Sequence, residues 1–313
     1  MSMANKFVCS FHVPVFFIVS GLLKGHLYKE SEAYGNISFK ELVKKRAVSL
    51  LIPFAIFSLF NSTLKLGVLF LTHSLTVSCI QEEMLDLFIK GNGTVWFLQT
   101  LFISELLFWW LARFSKKWLI CIALFLIAYG LTPININPLG IVLIRVIVST
   151  AYIMLGFIIL PFVNKISKIS INIGLSVICF LINLLFVFFV NYNYIYFNGE
   201  LGEIEKTLLP TIVGSFGIIF ICKALEIYDA KNKLRFSRYL GEKSLGIMLV
   251  HPTVLLVFTY LFNEKIFEKV MGISAVFVSL GLFLAVTAIT LIAIVPIYKF
   301  LPWVFGIKKE KNN

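Results

Sequence analysis

Long runs of apolar residues, separated by short polar segments, follow one another along most of the chain. These runs are long enough to cross a hydrocarbon core of roughly 30 Å as helices, which takes about 20 residues each. We therefore predict an all-α fold, a polytopic transmembrane helix bundle of about nine spans that forms a single domain over residues 1–313. The predicted spans are 7–23, 47–71, 95–112, 118–132, 139–163, 170–191, 208–225, 244–262 and 273–298.

The composition agrees with a membrane protein and excludes a soluble globular domain. Of the 313 residues, 59% are hydrophobic and 14% are charged, and the mean hydropathy is +0.93. A soluble domain has about 25% charged residues. The lipid bilayer is therefore the expected environment of the whole chain.

The positive charges predict the orientation of the bundle. If the first span runs from outside to inside, 21 of the 28 Lys and Arg residues fall in inner segments and 5 in outer segments. Inner connections are expected to be rich in Lys and Arg. We therefore expect a multi-pass protein of a bacterial plasma membrane with a cytoplasmic C-terminus. Because topology accounts for the net charge of +12, we expect no nucleic-acid partner.

Apart from Lys223, which lies at the inner end of span 208–225 and is counted with the inner segments, five Lys, Arg, Glu and His side chains fall inside the predicted spans, where burying each of them is costly. Lys65 lies about 9 Å from the outer end of its span, within snorkelling reach of the surface. Arg145 lies at a similar depth, and its guanidinium can bind a carboxylate or phosphate through two hydrogen bonds. For Arg145, a functional and a structural role both remain open. The other three are His12, Glu105 and His251.

Glu105 and His251 fall near the middle of their spans, where each needs a partner. The sequence leaves open whether they pair with each other, pair with Arg145, or join helices as structural polar groups. A carboxylate that orients the imidazole would make His251 a better base toward a hydroxyl.

A proline accompanies each of two histidines. Pro14 follows His12 by two residues, and Pro252 follows His251 directly. We expect His12 to face the interior of the bundle or a wet cavity, because lipid offers no hydrogen-bond partners. Each proline removes a backbone donor and frees a carbonyl one turn earlier. The carbonyls predicted to be free are those of Ser10 and Met248.

Four segments in order resemble the acyltransferase-3 family of polytopic membrane O-acyltransferases. The first holds a histidine and a proline, the second is a basic entry to a span, the third has a W-F-L sequence, and the fourth ends in His-Pro. They extend from residue 11 to residue 252, with a weaker match, IRVIVSTAYIMLGF, at 144–157. The four segments are FHVPVFFIVSG at 11–21, VKKRAVSLLIPF at 43–54, GTVWFLQTLFISELLFW at 93–109 and YLGEKSLGIMLVHP at 239–252.

The resemblance implies transfer of an acyl group, usually acetyl, from a cytosolic acyl-CoA to a hydroxyl of a cell-surface carbohydrate, without a metal. His12 falls on the histidine of the family's F-H-x-P motif, and Arg46 on the arginine of its basic entry. Trp96 falls on the W-F-L tryptophan, and Ser244 and His251 fall on the serine and histidine of the late motif.

These positions divide into three expected roles. Lys44, Lys45 and Arg46 stand at an inner membrane boundary, where they would bind the phosphates of CoA. His12, His251 and Glu105 are the expected catalytic residues. The expected acceptor-binding residues are Arg145, Trp96 and Ser244.

The chain departs from the family pattern at its beginning. The family bundle typically has ten helices, and its first helix carries an arginine and the histidine thought to act as base. Because nothing upstream of Phe11 supplies either, we expect a member shortened by one helix, in which His12 is a partner within the same cavity. Two alternatives are a transporter of glycan or lipid-linked sugar and a family member that binds but does not catalyse.

Overall fold

A computed structural model describes residues 3–30, 38–91, 93–131, 137–189, 201, 203–229, 234–262 and 273–307. Every regular element in these ranges is helical, and the described residues form no β-strand. The predicted all-α class is confirmed.

The helices follow the apolar runs, and each predicted span overlaps one of them. A π-helical turn, Ala47–Leu51, joins α2 to α3, another, Asp86–Lys90, follows α4, and a 3-10 turn covers Pro302–Phe305. The α-helices are α1 Met3–Glu30, α2 Phe39–Arg46, α3 Ile52–Leu71, α4 Val77–Leu85, α5 Trp96–Leu111, α6 Lys117–Leu131, α7 Pro138–Lys165, α8 Ile169–Phe189, α9 Ile204–Tyr228, α10 Arg235–Glu242, α11 Ser244–Phe262 and α12 Ile273–Phe300.

Several of these helices are able to cross a membrane. Within the described ranges, six segments are long and apolar enough, and a seventh arises if α10 and α11, which meet at a bend of 72°, form one broken span. Helices α5 and α6 are apolar but have only 16 and 15 residues, fewer than the roughly 20 that a span needs. The polytopic bundle is confirmed, and the number nine stays a prediction.

The chain forms two compact units. Unit 1 comprises residues 1–44 and 100–233, and unit 2 comprises residues 45–99 and 234–313. Each unit is assembled from two separate parts of the sequence. The single-domain organisation stays a prediction, and the two units are described separately below.

In unit 1, α1 crosses α7 at very short range. Gly21 of α1 lies against the backbone of Ile153, and Gly156 of α7 lies against the backbone of Ile18, so that neither site has room for a Cβ atom. Small residues allow membrane helices to approach this closely and to gain contacts between their backbones. The crossing makes α7 the most deeply buried of the candidate spans.

A buried polar layer joins α1, α8 and α9 within unit 1. The amide nitrogen of Asn183 donates to the Pro210 carbonyl at 2.6 Å and to the Ser10 hydroxyl at 3.0 Å. Ser10 and Asn183 have no exposed side-chain surface. Inside a membrane bundle such groups must find partners within the protein, and these bonds satisfy them while fixing the register of three helices.

In unit 2, the beginnings of α3 and α11 and the end of α12 meet at one end. The rings of Tyr298 and Phe305 stack at 4.2 Å, and the Lys243 ammonium lies 3.8 Å from the centre of the Tyr298 ring. Gly306, with a φ of 69°, packs against the backbone of Val48. The charge pattern predicts that these three helix ends lie on the inner side, which stays a prediction.

Lys65 has an ion-pair partner that lies outside its own helix. Its ammonium pairs with the carboxylate of Glu83 on α4, which is 2% exposed, whereas Lys65 is 48% exposed. Snorkelling of Lys65 to the bilayer surface stays a prediction, and the ion pair gives its ammonium a partner on α4. The sequence did not show that α4 folds back against α3, because that contact depends on the tertiary structure.

Candidate functional site

His251 lies in the second turn of α11 and is half-buried. Its Nδ1 is 2.9 Å from the Ile247 carbonyl oxygen. Because a carbonyl can only accept a hydrogen bond, Nδ1 must carry the proton and donate it. The lone pair of Nε2 is then available to accept a proton, which is the tautomer that a general base requires.

The carbonyl one turn before Pro252 has a partner from a distant segment. The Thr94 hydroxyl donates to the Met248 carbonyl at 3.1 Å. Pro252 has no N–H that could bond to the Met248 carbonyl within the helix. The carbonyl is therefore available to accept the hydrogen bond from Thr94, as the sequence predicted. The segment that leads into Trp96 and the segment that carries His251 are therefore in direct contact within unit 2.

Trp96 begins α5 and Ser244 begins α11, and both residues belong to unit 2. Trp96 is 6% exposed and packs against Gly91, whose φ of 78° and lack of room for a Cβ atom both require glycine. Ser244 is exposed at the start of α11. Seven residues separate it from His251, which is about 10 Å along a helix.

His12 lies on α1 in unit 1, and its side chain is exposed. The prediction that it faces the interior of the bundle or a wet cavity stays a prediction. Its neighbours Ser10, Phe11 and Pro14 are buried. The imidazole thus stands at the edge of a packed segment, where another molecule can reach it.

The carbonyl one turn before Pro14 is also bound by a threonine. The Thr211 hydroxyl of α9 donates to the Ser10 carbonyl at 2.8 Å, and Thr211 has no exposed side-chain surface. Both carbonyls that the sequence predicts to be free are therefore bound by threonine hydroxyls from other parts of the chain.

Glu105 of α5 has partners on α1. Its carboxylate lies 3.1 Å from the Lys24 ammonium and accepts a hydrogen bond of 3.0 Å from the Ser20 hydroxyl. Glu105 and Lys24 are each 2% exposed. Lys24 directly follows the predicted span 7–23, and α1 continues past it to Glu30. Ser20 and Lys24, one turn apart on the same face, are the signal that could have revealed the site.

Arg145 of α7 is 1% exposed and lies in the part of unit 1 that also holds Glu105. The Ser104 hydroxyl donates to the Val146 carbonyl at 3.2 Å, so residues adjacent in sequence to Glu105 and Arg145 are in contact. Pairing of Glu105 with Arg145 or with His251 stays a prediction. Glu105 contacts Ser20 and Lys24 of α1. His251 contacts the Ile247 carbonyl of its own helix.

The basic segment Lys44–Arg46 ends α2, immediately before a π-helical turn. Lys44 and Lys45 are exposed, and Arg46 is half-buried. Two residues after Arg46, the backbone of Val48 reaches the end of unit 2 that also holds Lys243. Among the described residues, no group of three or more His, Cys, Asp or Glu side chains is arranged to hold a metal ion.

Comparisons with known proteins agree with the motifs. The chain is similar to the nodulation protein NolL of Mesorhizobium japonicum, with 33% identity over 136 residues, and to that of Sinorhizobium fredii, with 32% identity over 136 residues. In both cases the match covers 43% of this chain and 34% of the relative. The chain thus matches about a third of the length of these curated relatives. No solved structure shows a significant match.

A family model described as an acyltransferase domain matches residues 1–299. The match includes all four of the motif segments and every candidate site residue named above. The resemblance stated from the motifs is thereby confirmed, and the chain belongs to the acyltransferase-3 family of acyltransferase domains.

Proposed function

We propose that the chain is a membrane O-acyltransferase that moves an acyl group, most simply acetyl, from acyl-CoA to a hydroxyl of a carbohydrate. The observation that carries this proposal is the 2.9 Å contact between His251 Nδ1 and the Ile247 carbonyl oxygen, in which Nδ1 has to donate, so that Nε2 of the neutral imidazole is the proton acceptor. The family match supports the same type of reaction.

In the proposed reaction, Nε2 of His251 takes the proton of the acceptor hydroxyl while that oxygen attacks the thioester carbonyl carbon. A carbon–oxygen bond forms, and the carbon–sulfur bond then breaks as the tetrahedral intermediate collapses. The proton passes from the imidazolium to the departing thiolate of CoA. The products are the O-acyl ester and free CoA, and His251 returns to its neutral form.

The basic residues at one end of the bundle would hold the donor. Lys44, Lys45 and Arg46 would bind the phosphates of CoA, because cationic donors form strong hydrogen bonds with phosphate oxygens. Lys243 supports this assignment, since it lies at the end of unit 2 that the backbone of Val48 reaches. In the topology predicted by the positive charges, this end and the C-terminus are cytoplasmic, which is the side where acyl-CoA is found.

The remaining candidates would serve the acceptor. In unit 1, Arg145 would donate to oxygens of the sugar; in unit 2, Trp96 would provide an apolar surface and Ser244 would donate from the exposed start of α11. Glu105 would act in catalysis through its charge, and His12 would bind the acceptor from its exposed position on α1. Burial of Arg145 and Glu105 strengthens their electrostatic effect, because the local dielectric constant is low.

The proposed function is tested by measuring release of the CoA thiol from purified protein in lipid nanodiscs. We expect release from acetyl-CoA to increase when an oligosaccharide with free hydroxyls is added, with acetyl ester formed in equal amount. A fully O-methylated oligosaccharide is the control and should give no increase. Folded protein that releases no CoA with any carbohydrate acceptor would contradict the proposal and favour transport or binding without catalysis.

We expect replacement of Arg46 with Ala to weaken acyl-CoA binding by about 1.5–3 kcal/mol, the range for hydrogen bonds to charged groups. The difference should shrink as salt is added, because the interaction is ionic. Binding is measured by titration of the purified variant with acetyl-CoA. Lys168→Ala is the control, since Lys168 is exposed in another connection predicted to be inner. Equal affinities for the two variants would leave Arg46 with a role in topology alone.

A further inference from the structure

The same arrangement of backbone and side chains occurs beside both motif histidines. In each case a proline follows the histidine within two residues, and a threonine from elsewhere in the chain binds the carbonyl that the proline leaves free. The two instances lie in different units, Thr94 with Met248 in unit 2 and Thr211 with Ser10 in unit 1. The arrangement therefore arises independently at the two sites.

These two threonines differ from others in the bundle. The usual behaviour of a helical threonine is to donate to the carbonyl four residues earlier in its own helix. Thr150 and Thr290 do this, at 2.7 Å and 2.6 Å. Thr94, in the turn before α5, and Thr211 of α9 instead donate to carbonyls that are 154 and 201 residues away in sequence.

The segment that holds Thr94 is shaped for this contact. Gly91 and Gly93 both adopt positive φ angles, which glycine tolerates far better than other residues. They bring Thr94 to the Met248 carbonyl, three residues before His251 and one turn before Pro252. The Met248 carbonyl adjoins Ile247 along α11, and it is the Ile247 carbonyl that orients the imidazole.

At the other site, Thr211 belongs to the buried polar layer. It follows Pro210, whose own carbonyl is bound by Asn183, and the Ser215 hydroxyl donates to the Thr211 carbonyl at 2.7 Å. Thr211 is thus held from both sides while it binds the Ser10 carbonyl. Since membrane lipid cannot replace such a partner, the hydroxyl satisfies the backbone of α1 two residues before His12.

We propose that Thr94 and Thr211 are positioning residues that fix the proline-containing turns carrying His251 and His12, respectively. The inference deepens the proposed function, because it assigns the residues that hold the candidate base and its companion histidine. Neither threonine touches a reacting atom in this scheme. Each acts through the backbone of the helix whose carbonyl it binds.

The test compares Thr94→Val and Thr211→Val in nanodiscs by the rate at which diethyl pyrocarbonate modifies each histidine, measured by peptide mass spectrometry. This readout does not need acyl transfer, so it is informative even if the proposed function fails. Valine keeps the shape of threonine and removes the hydroxyl. Thr94→Ser restores a hydroxyl, and Thr290→Val and Thr150→Val remove hydroxyls that bond only within their own helices in units 2 and 1.

We expect Thr94→Val to raise the modification rate of His251 by roughly twofold to tenfold, the factor that corresponds to one net hydrogen bond, and to leave His12 within twofold. Thr211→Val should change the rate at His12 by a similar factor and leave His251 within twofold. Thr94→Ser and both control variants should stay within twofold of the parent protein at both histidines.

In the active protein, Thr94→Val should also lower kcat with little change in the KM for acetyl-CoA, and Thr94→Ser should restore it. The inference is overturned if Thr94→Val leaves the rate at His251 unchanged, or if the control variants alter both histidines as strongly. Absence of CoA release by the parent protein would instead contradict the proposed function, and the labelling rates would still decide the positioning roles.

Discussion

Replacement of His251 with Asn is expected to lower the rate of acyl transfer by about 10² to 10⁴, the contribution of a general base. The asparagine amide retains a donor for the Ile247 carbonyl, which accepts the hydrogen bond of His251 Nδ1 in the parent protein. It has no group that takes a proton from a hydroxyl. Binding of acyl-CoA and the yield of folded protein should therefore change little, while the chemical step becomes slow.

His12→Asn is the matched comparison, because it removes the other motif histidine from an exposed position in unit 1. If His12 binds the acceptor, this variant should raise the KM for the acceptor and retain most of the kcat. A loss of kcat confined to His12→Asn, with full activity of His251→Asn, would reverse the roles of the two histidines. The kcat and KM values are measured from the rate of ester formation, which is followed separately from CoA release.

Replacement of Lys24 with Met is expected to destabilise the protein by about 3–5 kcal/mol, the cost of breaking a buried ion pair by removing one partner. The Glu105 carboxylate would then remain buried without the ammonium that lies 3.1 Å away. Lys24→Met combined with Glu105→Leu should recover most of this stability, because two apolar side chains of similar size replace both charges. The difference in stability between the variants is measured by heating each in detergent and following the loss of monodisperse protein.

Lys206→Met is the control for this experiment, since Lys206 and Glu203 form an exposed ion pair one turn apart. Such a pair contributes roughly 0–1 kcal/mol. If the double variant is as unstable as Lys24→Met alone, the two side chains do not act as a unit. Acyl transfer by the folded double variant then tests Glu105 separately: a rate near that of the parent protein would limit Glu105 to a structural role.

The structural features behind these predictions differ in how far the sequence alone predicts them. Hydropathy indicated the all-α bundle and the approximate position of each helix, because a lipid-facing backbone must form its own hydrogen bonds. Motif order indicated the family. The free carbonyls of Ser10 and Met248 were also predictable, since they follow from the covalent structure of Pro14 and Pro252.

The partners of these groups were not predictable in the same way. Thr94 and Thr211 lie far from the carbonyls they bind, and nothing near Ser10 or Met248 in sequence points to them. Similarly, Lys24 adjoins the predicted inner connection, and only the continuation of α1 to Glu30 buries it beside Glu105.

The sequence by itself determined the class of fold, the family, and where the backbone would need a partner. Only the tertiary structure decided which side chains supply those partners. The physical reason is that hydropathy reports the environment of a helix as a whole, whereas pairing depends on which helices approach closely. In unit 1 that approach is set by Gly21 and Gly156, where the absence of two side chains lets α1 and α7 come into backbone contact.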